Sequence, residues 1–546
     1  MKAAELLVRC LANEGVDAIF GLPGEETLAL TDVLVDSGIR FIPCRHEQGA
    51  AFMADVWGRL SGRAGVCLAT LGPGATNLMT GVADANLDRA PVVAITGQAA
   101  RDRIHKESHQ YVNVVDMFRP ITKWNTRLEV ASVVAEAVRK AFKVAETEKP
   151  GACHLELPED VAEETVDAGA APLATSRPRR PSPDRPALRR AAELIDRARN
   201  PLIFAGNGVI RGKASVALRE FAGRTGIPVA NTFMAKGCIP WDHELALGTI
   251  GLQLRDAISC GFDRADLVIA AGYDPVEYAP NFWNPDRTKT IVHLDFTPAE
   301  VDQDYPPAVE VVADVREALD LLRDLVSVRR DPTPARALHD WILAELLQGS
   351  TDNGFPVKPQ RLLHDLRKVL GPDDIVISDV GAHKLWVARL FQAMNPNTVI
   401  ISNGFASMGI ALPGALAAKM LYPERRVVAV AGDGAFLMNV QELETAVRLG
   451  LAVVIVIFRD DAYGVIRWKQ LSRYGRESGV AFGNPDFVRL AESFGCRGLR
   501  VEGADELVPA LEAAFASRMP CVVDVPVDYR ENLKLTERLG QLVCPL

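Results

Sequence analysis

An aspartate between two glycines stands directly after an apolar run in the last third of the chain. The run predicts a strand over 427–430, Gly432-Asp433-Gly434 follows it, and a helix is predicted over 439–449. Glycines at such a turn let the backbone approach a phosphate, and the helix N-terminus adds a positive dipole. Because a carboxylate would repel a phosphate directly, we interpret Asp433 as a ligand of a bridging Mg²⁺ ion.

A bridging ion needs a second oxygen ligand nearby. Asp460 lies 27 residues after Asp433, one predicted helix and one predicted strand later. Ligands of open α/β sheets bind beyond the carboxyl ends of the strands, so both carboxylates should face one crevice. Gly432-Asp433-Gly434 alone would be explained as a strand-to-helix turn with an aspartate cap. The two aspartates on neighbouring strand ends favour the metal site.

A glutamate stands in a similar place near the N-terminus. Glu47 follows a strand predicted over 40–42 and begins a helix rich in small residues. A turn with two glycines and a proline follows the strand predicted over 66–69 and ends at Asn77. Alone, Glu47 would be explained by its favourable position in the field of the helix dipole.

Three blocks of the chain alternate short apolar runs with helical patterns, which is typical of parallel sheets covered on both faces. We therefore predict the α/β class, with three doubly wound parallel-sheet domains over 1–170, 190–328 and 358–546. A connector with five prolines is predicted over 168–190, and a second connector over about 327–359. The predicted strands are 18–20, 40–42, 66–69 and 92–95, then 202–205, 267–270 and 291–294, and finally 375–377, 427–430 and 453–458.

Composition excludes several classes of protein. The 546 residues are 48% hydrophobic and 24% charged, which is ordinary for a globular chain and excludes coiled coil and wholesale disorder. No apolar run reaches the ~18 residues of a membrane span, and the net charge of −9 argues against nucleic acid as a partner. The N-terminus lacks the features of a signal peptide, so we expect a cytoplasmic protein whose nine scattered cysteines are free thiols.

Several of these motifs resemble those of the thiamin-diphosphate-dependent enzymes. The Gly432-Asp433-Gly434 turn, followed at this spacing by the acidic turn at 460–464, resembles the metal-binding motif of that family, which usually has asparagine where Asp460 stands. R-H-E-Q-G-A-A at 45–51 resembles its activating-glutamate motif, and L-G-P-G-A-T-N at 71–77 resembles a turn beside the pyrimidine and substrate. The resemblance covers a pyrimidine-binding, a middle and a diphosphate-binding block.

The resemblance implies that thiamin diphosphate and Mg²⁺ are the cofactors. The implied metal ligands are the carboxylates of Asp433 and Asp460 and the main-chain carbonyl of Ala462. The implied cofactor-binding residues are Pro23, Gly24, Glu47, Asn77, Val380, Gly381, Ala382, His383, Ala406, Met408, Gly432, Asp433, Gly434, Ala435, Asp460, Ala462, Tyr463, Gly464 and Val465.

Three residues are implied in catalysis. Glu47 would share a proton with N1′ of the aminopyrimidine and should therefore be buried. Met408 would lie beneath the cofactor and hold its two rings in a V shape. Gln110 aligns with a glutamine of the substrate pocket. The other residues implied in that pocket are Gly72, Val465, Ile466 and Trp468.

Two further stretches are similar to the acetolactate synthase large subunits, and specifically to their catabolic, flavin-free branch. They are H-K-E-S-H-Q with F-R-P-I-T-K, within 105–123, and G-Y-D-P-V-E-Y at 272–278. The similarity implies that pyruvate is decarboxylated and joined to a second 2-oxo acid, giving 2-acetolactate. FAD is not expected, although G-N-G-V-I-R-G at 206–212 nearly matches a dinucleotide-binding turn. A homodimer or homotetramer with sites between chains is also implied, with neither nucleic acid nor membrane as a partner.

Three alternatives remain open at this point. The protein could be a thiamin-dependent decarboxylase that releases an aldehyde, or a carboligase with another acceptor, because the stretch 460–470 departs from the catabolic enzymes. It could also be a flavin-dependent relative. The third alternative is a regulatory nucleotide-binding α/β protein, which would have no use for Glu47, Asp433 and Asp460 together.

Overall fold

Three six-stranded sheets, each parallel throughout and flanked by helices, follow one another along the chain and confirm the predicted class. The protein is described by a computed structural model that covers residues 1–176, 178–252 and 255–544. Position 177 of the predicted connector and positions 545–546 of the third predicted domain lie outside the described residues. The domain boundaries at 170, 190, 328 and 358 stay predictions.

The first sheet has the strand order β2-β1-β3-β4-β6-β5. Its strands are β1 (Ala18–Gly21), β2 (Arg40–Pro43), β3 (Gly65–Ala69), β4 (Val92–Gln98), β5 (Trp124–Arg127) and β6 (Ala152–Pro158). Its helices are α1 (Ala3–Asn13), α2 (Leu28–Leu34), α3 (Glu47–Ser61), α4 (Gly72–Leu87), α5 (Val114–Phe118), α6 (Val134–Glu146) and α7 (Glu159–Glu163). Glu47 and the glycine-rich turn thus begin the two helices that follow β2 and β3.

The middle sheet has the order β12-β11-β10-β7-β8-β9. Its strands are β7 (Pro201–Ala205), β8 (Val229–Asn231), β9 (Ala246–Thr249), β10 (Leu267–Ala271), β11 (Thr290–Asp295) and β12 (Pro307–Val312). Its helices are α8 (Arg185–Arg197), α9 (Asn207–Arg211), α10 (Ser215–Thr225), α11 (Ser259–Arg264) and α12 (Val315–Leu325), and α13 (Thr333–Leu346) lies in the second predicted connector.

The third sheet has the order β14-β13-β15-β16-β18-β17. Its strands are β13 (Ile375–Ser378), β14 (Val399–Ile401), β15 (Val427–Gly432), β16 (Val454–Arg459), β17 (Arg497–Arg500) and β18 (Cys521–Pro526). Its helices are α14 (Pro359–Val369), α15 (Ala382–Leu390), α16 (Ala411–Leu421), α17 (Asp433–Phe436), α18 (Glu442–Arg448), α19 (Gly464–Tyr474), α20 (Phe487–Ser493), α21 (Leu507–Ala516) and α22 (Arg530–Gly540). β15 and β16 are neighbours, so the two predicted acidic turns adjoin.

Two local predictions are wrong in detail. The helix predicted over 439–449 is shorter, since α18 begins only at Glu442 and ends at Arg448, and a separate short helix, α17, already begins at Asp433. The connector predicted to continue to residue 190 ends earlier, since α8 begins at Arg185. The Asp184 side chain accepts a hydrogen bond from Ala187 N–H at 3.0 Å, and Pro186 lies in the first turn, where a helix tolerates proline.

The expectation of nine free thiols is also wrong. Cys260 in α11 and Cys544 after α22 form a disulfide, which joins the C-terminal segment to the middle domain. The other seven cysteines are free and buried. Within the described part of the chain, no helix has the length and the apolar composition that a membrane span requires.

One hydrophobic core joins the first domain to the third, because α3 packs against both α4 and α16. Small residues allow this close approach. A Cβ at Gly81 of α4 would lie 2.5 Å from the Cβ of Ala51 in α3, and a Cβ at Gly414 of α16 would lie 2.8 Å from a methyl group of Val56. The two sheets that carry the predicted motifs are therefore held together by helix packing that tolerates no added side chain at these glycines.

Gly81→Ala should lower the free energy of unfolding by about 1–3 kcal/mol, because the new methyl group overlaps Ala51 and its backbone. Gly223→Ala is the matched control, since it lies in α10 with no atom within 4 Å of its Cβ position, and it should stabilise by about 0.5–1 kcal/mol. Urea unfolding followed by circular dichroism measures both. Equal midpoints for the two variants would show that α3 and α4 are not tightly packed.

Candidate active site

Asp379, directly after β13, fixes two turns of the third domain relative to each other. Its buried carboxylate accepts hydrogen bonds from the main-chain N–H groups of Val380 (2.8 Å), Gly409 (2.8 Å) and Ala411 (3.0 Å). Burial raises the pKa of Asp379 to about 6, and these three bonds oppose the shift. The turn before α15 and the loop before α16 are thereby held side by side at the carboxyl end of the sheet.

Asp433 lies at the end of β15 and binds the turn that follows β16. Its Oδ2 accepts hydrogen bonds from the main-chain N–H groups of Asp460 (3.2 Å) and Asp461 (2.7 Å) and from Nδ2 of Asn484 (2.8 Å). Its Oδ1 accepts one from Gly434 N–H at 2.8 Å. The structure thus places the two predicted acidic turns in direct contact.

One oxygen of the Asp460 carboxylate is left without a hydrogen bond by the described residues. Its Oδ2 is buried and receives no hydrogen bond from any described residue. Burial, and next the charge of Asp433, raise the pKa of Asp460 to about 8, while Arg467 opposes the shift. Burial raises the pKa of Asp433 as well. The two carboxylates are desolvated and adjacent, and that of Asp460 has an unused oxygen. Such a pair fits a hard divalent cation such as Mg²⁺.

A cleft with an empty volume of about 690 Å³ opens at these strand ends. It collects the third-domain residues implied for the cofactor, and it adds one residue that the sequence did not indicate, Tyr529. The lining residues are Val380, Gly381, Ala382, His383, Ala406, Met408, Gly432, Asp433, Gly434, Ala435, Asp460, Ala462, Tyr463, Gly464, Val465, Ile466 and Tyr529.

His383 brings an unused ring nitrogen to this cleft. Burial lowers the pKa of His383 to about 3, so the imidazole is neutral at physiological pH. Its Nε2 has no hydrogen-bond partner among the described residues, and a Cβ at Gly432 would lie 3.1 Å from Nδ1. A neutral imidazole beside a glycine turn can donate one hydrogen bond to a phosphate oxygen without adding charge.

Glu47 lies at the start of α3 and is only 8% exposed, as the sequence predicts. Nδ2 of Asn77, in the first turns of α4, donates to its Oε2 at 3.0 Å. The two residues before it are held by the third domain, because Oε1 of Glu442 accepts from the N–H groups of Arg45 (3.0 Å) and His46 (3.1 Å). The orientation of Glu47 therefore depends on both domains.

The remaining first-domain residues lie at the carboxyl end of the same sheet. Gly72 has a φ of +47°, and a Cβ there would overlap the main-chain oxygen of Gln110. The side chain of Gln110 is exposed, and Pro23 is exposed in the turn after β1. A Cβ at Gly24 would overlap Thr70, which follows the neighbouring strand β3. These turns form one surface.

Among the described residues of one chain, the lining of the third-domain cleft does not extend to the first domain. The described lining of the third-domain cleft includes none of the first-domain residues Pro23, Gly24, Glu47, Gly72, Asn77 and Gln110. Trp468, on the same helix as Val465 and Ile466, is not among the residues described as lining that cleft. It is buried, and its indole N–H donates to Oγ1 of Thr536 in α22 at 2.8 Å.

Sequence reasoning missed four polar residues of this region. Asp379 directly follows a predicted strand, so its position was a usable signal. Glu442, Asn484 and Tyr529 act across long separations, on Arg45, Asp433 and the cleft. No local pattern marks them, because their role follows only from tertiary packing.

Family models match the three parts of the chain in order. They are described as the N-terminal TPP binding domain, the central domain and the C-terminal TPP binding domain of thiamine pyrophosphate enzymes, and they match residues 1–117, 188–322 and 379–525. Each range contains strands of one of the three sheets.

Curated proteins are similar over nearly the whole chain. An acetolactate synthase of Bacillus subtilis is 37% identical over 99% of this chain and 97% of its own length. A catabolic acetolactate synthase of Raoultella terrigena is 38% identical, again over 99% and 97%, and a probable acetolactate synthase large subunit of Methanocaldococcus jannaschii is 36% identical over 100% and 96%. The chain therefore belongs to the thiamine pyrophosphate enzymes and, within them, to the acetolactate synthase group.

Proposed function

We propose that the protein is a cytoplasmic acetolactate synthase, which decarboxylates pyruvate and joins the resulting two-carbon unit to a second pyruvate to give 2-acetolactate. The observation that carries the proposal is its similarity, over almost the full length of both chains, to relatives with this name, one of them catabolic. The buried glutamate of the first domain and the acid-lined cleft of the third are consistent with it.

The third-domain cleft is the proposed site of the diphosphate and of Mg²⁺. Asp433, Asp460 and the carbonyl of Ala462 would hold the metal, and His383 with the glycine turns would hold the phosphates. When bound, thiamin diphosphate would supply a nucleophilic carbon for the keto carbon of pyruvate, and its thiazolium ring would take up the electron pair released with CO₂. The chain's residues supply position and charge.

Glu47 is the proposed partner of the aminopyrimidine ring. Its burial removes competing water, and its bond from Asn77 leaves the other carboxylate oxygen, Oε1, to hold or accept a proton. Met408, half-buried beside Ala406 in the cleft, is the proposed support for the bent cofactor, and Gln110 the proposed contact with substrate.

The middle domain supports a flavin-free assignment. In its glycine turn, Asn207 N–H donates to both carboxylate oxygens of Glu277, at 3.0 and 3.2 Å, and the Thr232 hydroxyl donates to Oε2. Burial raises the pKa of Glu277 to about 8. The backbone at Gly208 also packs against Gly272 so closely that a Cβ would lie 2.5 Å from the Gly272 Cα. An internal carboxyl group at this turn would compete with a dinucleotide phosphate for the Asn207 N–H and would repel its charge, which supports the proposal that no flavin is bound.

The separation of the two halves supports assembly from at least two chains. Glu47 and the metal-binding turn must act on one cofactor, yet the described lining of the cleft lacks Glu47. Closed two-fold symmetry would place the first domain of one chain against the third domain of its partner and create two equivalent sites. We propose a homodimer as the minimal unit, and a homotetramer would contain two such dimers.

The product identifies the reaction directly. Incubated with pyruvate, thiamin diphosphate and Mg²⁺ but no flavin, the protein should form 2-acetolactate and CO₂ in a 1:1 ratio, with two pyruvates consumed for each, measured by mass spectrometry. Acetaldehyde as the main product would instead assign an aldehyde-releasing decarboxylase. Activity that appears only after FAD is added would contradict the flavin-free assignment.

Asp433→Ala should abolish Mg²⁺-dependent binding of thiamin diphosphate, because it removes a metal ligand and releases the turn at 460–461. Asp460→Asn restores the residue usual in the family and should be tolerated. Asp461→Asn is the matched control, since that exposed carboxylate neighbours both and is not a proposed ligand. Calorimetric titration with and without Mg²⁺ measures the affinities. Unchanged affinity in Asp433→Ala would refute the anchoring role.

Mixing two inactive variants tests whether the site is shared between chains. Glu47→Gln should lose about 10²–10⁴-fold in rate, as expected for a proton-transfer group, and Asp433→Ala should be inactive through lost cofactor. After subunit exchange, hybrid dimers carry one intact site, so activity should return. If mass spectrometry demonstrates exchange while activity stays at the level of the separate variants, the site lies within one chain.

A further inference from the structure

A cluster of buried charges lies between the first domain and the loop 402–409 of the third. Asp55 of α3, Asp84 of α4 and Asp88 are fully buried, and the side chain of Arg59 in α3 is 9% exposed. Arg59 Nε donates to Asp55 at 2.7 Å, and its Nη2 contacts Asp88 and lies 3.6 Å from Asp84. Burying such charges is costly unless each finds hydrogen-bond partners.

Asp84 finds two of its partners in the loop. Its Oδ1 accepts a hydrogen bond from the Ser402 hydroxyl at 2.7 Å and one from Ser407 N–H at 3.2 Å. The hydroxyl of Ser402 in turn lies 3.3 Å from Ser407 N–H. One carboxylate of the first domain thus joins the two ends of a short turn in the third.

Asp88 binds the residues between these ends. Its carboxylate accepts from Asn403 N–H at 3.0 Å and from Gly404 N–H, and a Cβ at Gly404 would lie 2.8 Å from Oδ1. Lys384 of α15 adds a further contact, since its Nζ donates to the carbonyl of Ser402 at 3.0 Å. Donors of four loop residues therefore bind the two aspartates: Ser402, Asn403, Gly404 and Ser407.

The rest of the loop carries residues of the cleft. Ala406 and Met408 line it, and Gly409 N–H donates to Asp379 at 2.8 Å. Ala406 has a φ of +56°, a left-handed conformation that costs free energy for a residue with a Cβ. Such a conformation persists only where its surroundings enforce it, and the carboxylates on both sides provide that constraint.

We propose that Asp84 and Asp88 are positioning residues, which hold the loop 402–409 in the shape that presents Ala406 and Met408 to the cofactor. This role rests on the proposed function only in that the proposed function identifies the ligand as thiamin diphosphate. Buried charges of the first domain thereby shape a site in the third domain. This role is separate from that of Glu47, which begins α3.

Asp55→Asn offers a matched control. Asp55 belongs to the same cluster and is equally buried, but its described contacts are with Arg59 and Asp84 and not with the loop. Asp84→Asn and Asp88→Asn each remove one charge from that cluster with little change in shape, and they weaken the bonds to the loop. Ser402→Ala removes a single hydroxyl and serves if either aspartate variant fails to fold.

Two measurements test the proposal. Hydrogen–deuterium exchange of the peptide that covers 402–409, in the protein without cofactor, should accelerate in Asp84→Asn and Asp88→Asn and stay at the wild-type rate in Asp55→Asn. The Kd for thiamin diphosphate at saturating Mg²⁺ should rise about tenfold in the first two variants, as for other outer-shell partners of a bound group. At saturating cofactor, kcat should fall less than affinity does.

The outcomes separate the two proposals. An equal rise in exchange and Kd in Asp55→Asn would show that the cluster acts through general stability, and it would overturn the positioning role. So would unchanged exchange in Asp84→Asn, Asp88→Asn and Ser402→Ala. If the wild-type protein gave no heat with thiamin diphosphate while the exchange pattern appeared as expected, the proposed function would be wrong and the loop constraint would stand.

Discussion

The close approach of α3, α4 and α16 is the constraint on which the candidate site depends. Each helix is adjacent to a proposed contact of the cofactor: Glu47 begins α3, the turn with Asn77 begins α4, and the loop with Met408 precedes α16. Glycines and alanines at the contacts let the helices approach until no further atom fits. The position of each contact is therefore set by packing far from the cleft, which is rigid because it is dense.

The carboxylates near the cleft divide into two kinds. Asp379 and Glu442 are buried, and main-chain N–H groups satisfy them, so they act as fixed internal anions that hold turns. The Oδ2 atom of Asp460 is buried and has no such partner among the described residues, so it is suited to a cation. Hydrogen bonding, and not residue type, thus distinguishes Asp460 from Asp379 and Glu442.

The sequence predicts the strands that are continuously apolar, such as the one that forms β16. The inner strands β6 and β18 are also buried, but they are not among the predicted strands, since acidic residues interrupt their apolar pattern. By contrast, β5 and β17 are half-buried and polar, and they form because a neighbouring strand offers its edge. At the site, residues that directly follow strands were accessible to prediction. Tyr529 was not, because only tertiary packing brings it to the cleft, and sequence spacing likewise does not show that the indole of Trp468 donates to Thr536.

The shared core of the first and third domains has a consequence for synthesis of the chain. α3 and α4 pack against α16 in the folded chain, but they leave the ribosome some 350 residues before α16 does. The middle domain has hydrophobic cores of its own and can form them as it emerges. At typical elongation rates of about 5–20 residues per second, this interval lasts on the order of tens of seconds. During that time the apolar faces of α3 and α4 lack the partner that covers them in the folded chain. Transiently exposed surface of this kind favours aggregation, and here the exposure follows from the order of the domains along the chain.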